Sequence, residues 1–408
     1  MGSQVKLITF LKKTSTGTQA VTGIGFKPRA IIFFWGGATG NASFRGGVWQ
    51  GAGFVARSAA DVITQHSTSW SSQDAQTSSN SSRRVTGKAI SIGQYGEAIE
   101  SEADITSLDS DGFTLDWTTA SAVAMNISVL AIGGTSPTDA KVITWNAPAA
   151  TGSQAVTGVG FKPDVLFTMR TNNNSGTVAS GSFSFGMTDG TNSALAAVFD
   201  TDASAIMSTS RGQRTGQVVG NVDSSAAWAN LASFTSFDTD GFTLNWSART
   251  NTNLCVGLVI KGGSYKVGTT AKSTNTSTPV TQNVSGLGFR PAAIFNFSTF
   301  GGSLTGAGTN HAELAMGVGD GINSHGHICR AEDGSADSDT SAYWRSSKAM
   351  VKQSATANTV EAEGGIALHS SSFDWIWTTN DAVGSNLAWM AIGPLVPLAT
   401  RAHVVAAA

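Results

Sequence analysis

Alternation of apolar and polar residues at period two dominates the chain. In Gly112-Phe-Thr-Leu-Asp-Trp117 the residues Phe113, Leu115 and Trp117 fall on one side, and Thr114 and Asp116 on the other. The pattern returns at Phe242, Leu244 and Trp246, and again at Phe373, Trp375 and Trp377. A strand with one buried face requires this spacing. Asp-Gly precedes two of these runs, at Asp111-Gly112 and Asp240-Gly241, and reads as a turn in which glycine supplies a positive φ. Other runs are apolar throughout. Ile31-Ile32-Phe33-Phe34 predicts a strand covered on both faces, and Pro28, Pro163 and Pro291 stand where such strands begin. Amphipathic helices are absent from the pattern; Ser58–Asp61 and Ala331–Asp339 offer a turn or two at most.

These phrases occur in triplicate. Gln19–Phe34, Gln154–Phe167 and Gln282–Phe297 align near the start of each unit. Asp111–Trp117 with Val129–Gly134, Asp240–Trp246 with Leu258–Gly263, and Ser371–Trp377 with Trp389–Pro394 align near the end. The period is domain-sized, about 130 residues, and not that of a short solenoid repeat. The predicted fold is all-β, with three tandem homologous antiparallel β-sandwich domains arranged as a pseudo-trimer. The units run over 4–139, 140–266 and 267–397, with 398–408 as a C-terminal tail or docking arm. Thr135–Ala140 and Ser264–Ser273 read as short linkers, so the lobes pack closely. The central segments Ser43–Tyr95, Ala179–Val222 and Ala307–Val360 share few residues, and read as the loops that carry binding.

Composition narrows the function. Only 13% of residues are charged, about half the usual share, while 40% are apolar and the net charge is −2. The exterior is therefore built from Ser, Thr, Asn, Gln and Gly. Arg83-Arg84 and Lys12-Lys13 are the adjacent basic pairs and read as solvated; no basic stripe for nucleic acid exists. No apolar stretch reaches the length of a membrane span, and the run between Val5 and Leu11 is too short for a signal core. The two cysteines, Cys255 and Cys329, lie in strand-like runs and read as buried small hydrophobes.

Candidate chemistry is sparse. On a strand, His325, His327 and Cys329 share one face and form a zinc candidate, with His311 or Asp320 as a fourth ligand; the alternative is partly exposed histidines beside a buried thiol. Asp189-Gly190 and Asp320-Gly321 open related phrases, read as hairpin turns in preference to calcium- or sugar-binding loops. Glu97, Glu100 and Glu102, with Glu361 and Glu363, would be the carboxylates of a glycoside hydrolase, but read better as solvent-facing charges. Trp49 and Trp344, outside the repeated frame, are the surface candidates for stacking on a sugar or anchoring a protein. No catalytic constellation is found and no cofactor is called for.

The paired motifs resemble the H-type lectin module, a small antiparallel β-sandwich that assembles in threes. The resemblance rests on the Phe and Pro before an apolar strand, the Gly-Phe strand, and a last strand of the Trp-x-Ala-x-Gly kind. Trp389-Met-Ala391-Ile-Gly393 has that form; Val129-Leu-Ala131-Ile-Gly133 and Leu258-Val-Ile260-Lys-Gly262 depart from it. None of that family's sugar-contacting residues is matched here. The repeat phrases also resemble those of bacteriophage tail fibre and capsid-surface proteins. The resemblance implies a non-enzymatic virion structural protein on the particle surface, with capsid or tail subunits as partners. Its alternatives are a carbohydrate-binding adhesin for a host surface glycan and, further off, a polysaccharide depolymerase acting through Glu100 or Glu361.

Overall fold

The computed structural model describes residues 3–301, 303–354 and 358–393. The expected tail at 398–408 lies outside them. The fold is all-β, with 60% strand and, among the described residues, no helix, and the sheets are antiparallel. Each repeat builds six strands of one seven-stranded sheet and the whole of one four-stranded sheet. In the first repeat the large sheet runs Ser3–Leu11, Asn126–Gly134, Pro28–Trp35, Val48–Arg57, Ile63–Ser72, Ser81–Thr86. The small sheet runs Gly17–Thr22, Gly112–Thr119, Ile99–Asp109, Ile90–Gly93. Repeats two and three reproduce both orders.

The continuous apolar run behaves as its pattern predicts. Ile31 and Phe33 face a core between the two sheets of repeat one, with Phe113, Leu115 and Trp117. Ile32 and Phe34 face the opposite way, into a second core that also holds Phe167 and Phe185 of repeat two and Phe295 and Phe297 of repeat three. The large sheets are therefore apolar on both sides, and one core is common to all three repeats.

The triplicated phrases are tied to one another by hydrogen bonds. Gln19 accepts from the Trp117 indole at 2.8 Å and donates to Leu11 O. Gln154 does the same between Trp246 and Asn146, and Gln282 between Trp377 and Ala271. The Asp-Gly signal marks hairpin turns as expected, with Asp109 pairing with Gly112 and Asp238 with Gly241. Gly112 has φ of 158°, close to extended, and a Cβ there would lie 1.9 Å from Val21 O. Gly241, at φ of 150°, has the same contact with Val156 O, so glycine serves both the backbone conformation and this close approach. The aspartate beside it caps the first phrase: Asp111 accepts from Gly23 N and Gly25 N, and Asp240 from Gly158 N and Gly160 N.

The seventh strand of each large sheet comes from a different repeat. Gly176–Ala179 of repeat two pairs with Ser81–Thr86 of repeat one. Thr309–Asn310 of repeat three pairs with Thr209–Thr215 of repeat two. Phe44–Gly46 of repeat one pairs with Thr340–Arg345 of repeat three. After each of these short strands one residue takes positive φ (Gly47 at 89°, Ser180 at 66°, His311 at 68°), and the chain then enters its own sheet.

Ser264–Ser273 is not a linker, because Ser264–Ala271 is the first strand of repeat three; the expected break at 266/267 falls inside it. Likewise Asp139 already belongs to the first strand of repeat two. The divergent central segments are not simply free loops, since they supply the strands that join repeat to repeat. One member of each basic pair is buried, while Lys13 and Arg83 are partly exposed. Lys12 is buried, donating to Ser121 O, and Arg84 is buried against Glu102.

Candidate functional site

The seams between repeats gather most of the residues that the sequence singled out. At one end of the large sheets three equivalent loops interlock. Asp202 of repeat two accepts from Ser81 N of repeat one at 2.7 Å. Asp333 of repeat three accepts from Thr209 N of repeat two at 2.8 Å, and Asp74 of repeat one from Thr340 N of repeat three at 2.9 Å. The hydroxyls of the same three residues donate onward: Ser81 to Asp200 O, Thr209 to Ala331 O, Thr340 to Ser72 O. The residue after each aspartate is left-handed (Ala75 at 55°, Ala203 at 55°, Gly334 at 78°) and donates its N–H to Ser338 O, Ser79 O and Met207 O respectively. Sequence reasoning missed these clasps. Their signal is an aspartate followed by a small residue, in Gln73-Asp74-Ala75, Thr201-Asp202-Ala203 and Glu332-Asp333-Gly334.

One concave surface, about 450 Å³ around Pro291, Asp320 and Leu368, lies within repeat three, and three others follow the seams. A groove of about 390 Å³ lies between repeats one and two, lined by Ala59, Val62, Ala140, Lys141, Val159 and Phe161 among others. One of about 520 Å³ sets Lys6–Phe10 and Gln19–Gly23 of repeat one against Asn323 and His325 of repeat three. A smaller one, about 180 Å³, lies between repeats two and three around Asn192, Thr215 and Val267–Thr269. In each of these three, the hairpin of one repeat meets the first strand of the next.

The two tryptophans expected at the surface are buried. Trp49 is 3% exposed and Trp344 6%. Both lie where repeats one and three meet. Arg45, from the strand given to repeat three, covers the Trp49 ring at 3.9 Å, and the Trp344 carbonyl accepts from Ala42 N. Neither ring offers an open face for a sugar. Trp49 does connect to a second candidate: its indole donates to Gln94, whose amide donates to Glu100.

The acidic residues expected to face solvent are mostly committed to partners. Glu102 pairs with Arg84 at 2.6 Å, Glu363 with Arg345 at 2.9 Å and Glu361 with Lys352 at 2.7 Å. Glu100 is buried and accepts from Ser121. Glu97 is exposed, with φ of 61°. Arg83 donates to Asn172, Ala179 and Ser180 carbonyls across the seam, and Arg84 to Thr177 Oγ1.

His325, His327 and Cys329 do share a strand face, but that face is buried and not half-open. His327 Nε2 is 2.9 Å from Ser128 Oγ, and Cys329 Sγ is 3.1 Å from Gly36 O, both in repeat one. His325 stacks on Trp344. Burial holds the imidazoles neutral, with His325 pushed down to about 4 and His327 to about 3, and raises the Cys329 thiol. Among the described residues no group of three or more His, Cys, Asp or Glu is placed to hold a metal ion. Of the proposed fourth ligands, Asp320 accepts from Ile322 N and Asn323 N in its own turn, and His311 accepts from Asp333 N. Asp189 closes the equivalent turn and also accepts from Val267 N of repeat three.

No protein-family model matches the chain, nor does any curated protein or solved structure.

Proposed function

We propose that the chain is a non-enzymatic structural protein of a bacteriophage particle surface, a pseudo-trimer made from one polypeptide that decorates the capsid or serves attachment. The observation that carries this reading is the cyclic exchange of strands: repeat one takes a strand from two, two from three, and three from one. A trimer of separate chains dissociates on dilution by mass action, whereas a fused one keeps its subunits together at any concentration. That property suits a body carried outside the cell. A common core and three clasps favour a rigid display scaffold, and the resemblance of the repeat phrases to phage surface proteins supports the setting. The carboxylates a depolymerase would use are engaged in ion pairs and hydrogen bonds at or near the seams, which favours a structural role for them.

Binding then falls to the grooves and outer loops. Gold-labelled antibody against the purified protein, applied to intact particles from a producing culture, is expected to decorate the particle exterior. Recovery of all the protein in the soluble fraction, with unlabelled particles, overturns the reading.

A further inference from the structure

One seam carries a group that the other two lack. Asp200 ends the strand Ser193–Asp200 and is completely buried between repeats two and one. Its backbone carbonyl accepts the Ser81 hydroxyl, so the residue sits inside the clasp. Across the sheet it is flanked by Gly181 and Thr209, and the Trp70 ring of repeat one packs over Gly181. Neither carboxyl oxygen makes a hydrogen bond of good geometry among the described residues; the Ser72 hydroxyl, equally without one, is the donor that lies close to it. At the equivalent point of the other two clasps, where a hydroxyl from the next strand is accepted, stand Ser72 and Ala331, which carry no charge.

We propose that Asp200 is a pH-sensitive latch: neutral while the body is closed, and loosening the junction of repeats one and two when it ionises. A bare carboxylate in this dry seam has neither a cation nor a set of N–H donors to replace water. Burial pushes its carboxyl up to about 7, against an opposing pull from the Ser72 hydroxyl and with a lesser push from Asp202, the charged group that acts on it. In the unfolded chain the same acid ionises near its ordinary 3.8. Between those limits the folded state holds a proton that the unfolded state has released. The latch is therefore fully closed below the ordinary carboxyl range, and its contribution is lost as pH rises towards about 7.

Asp200→Asn keeps the shape of the neutral acid and cannot ionise. In denaturant titrations of the full chain, its stability relative to wild type is expected to grow as pH rises from 4.5 to 7, by up to roughly tenfold in the unfolding constant per pH unit, and then level off. Local opening gives a second readout in the wild type alone. Corrected for intrinsic rates, amide exchange in Gly176–Ala179 should accelerate between pH 4.5 and 7 and then level off, while Phe44–Gly46, at a seam without such an acid, stays level throughout. Parallel pH profiles for the two proteins, or equal acceleration at both strands, overturn the proposal.

Discussion

Replacing Phe185 with alanine is expected to lower the stability of the whole chain by about 3–5 kcal/mol, in one cooperative transition. The ring sits where three repeats meet. It contacts Phe54 of repeat one at 5.8 Å, Phe167 of its own repeat at 6.4 Å, and Phe295 and Phe297 of repeat three at 5.2 and 6.0 Å. A cavity there removes dispersion contacts from all three large sheets at once, and no single repeat can collapse to refill it. Equilibrium unfolding in guanidinium, followed by both tryptophan fluorescence and circular dichroism, reads the effect. Independent lobes would instead show a second transition with an unchanged midpoint.

Arg84→Ala is expected to cost a similar amount, about 3–5 kcal/mol, because it strands Glu102 without its cation. Both side chains are largely buried (11% and 8% exposed), and the guanidinium also reaches Thr177 of repeat two. The loss comes chiefly from leaving a buried carboxylate unpaired, not from the worth of the pair itself. Arg84→Met with Glu102→Leu should therefore recover much of the stability lost in the single variant. Chemical denaturation of the single and double variants checks this. A single variant within 1 kcal/mol of wild type would mean that water reaches Glu102 (a threshold set by the range for exposed pairs, about 0–1 kcal/mol).

Much of the scaffold was legible in the chain. Phe113, Leu115 and Trp117 alternate because their strand has one buried face, and Ile31–Phe34 does not alternate because both faces are covered. The repeated Gln and Trp are kept because they bond to each other across the small sheet's edge. What joins the repeats was not legible. Thr309–Asn310 is two residues long and Phe44–Gly46 three, too short to show any period. The clasp aspartates stand in segments that otherwise diverge. Each such segment meets a different neighbour, so its side chains answer to different constraints, and from sequence this looks the same as freedom in solvent. Trp49 and Trp344 were misplaced for that reason: they depart from the repeated frame because the seam between repeats one and three has its own packing.

The central claim is that the three repeats close on one another, so that no covalent link between neighbours is special. In repeats one and two the last strand leads directly to the first strand of the next repeat, from Gly134 to Asp139 and from Lys261 to Ser264. A circular permutant tests this most directly: Gly393 joined to Ser3 by a short Gly-Ser linker, with the chain opened between Thr135 and Asp139. Closure predicts a soluble monomer that unfolds in one transition near the wild-type midpoint. A permutant that aggregates, or melts in separate steps, would contradict it.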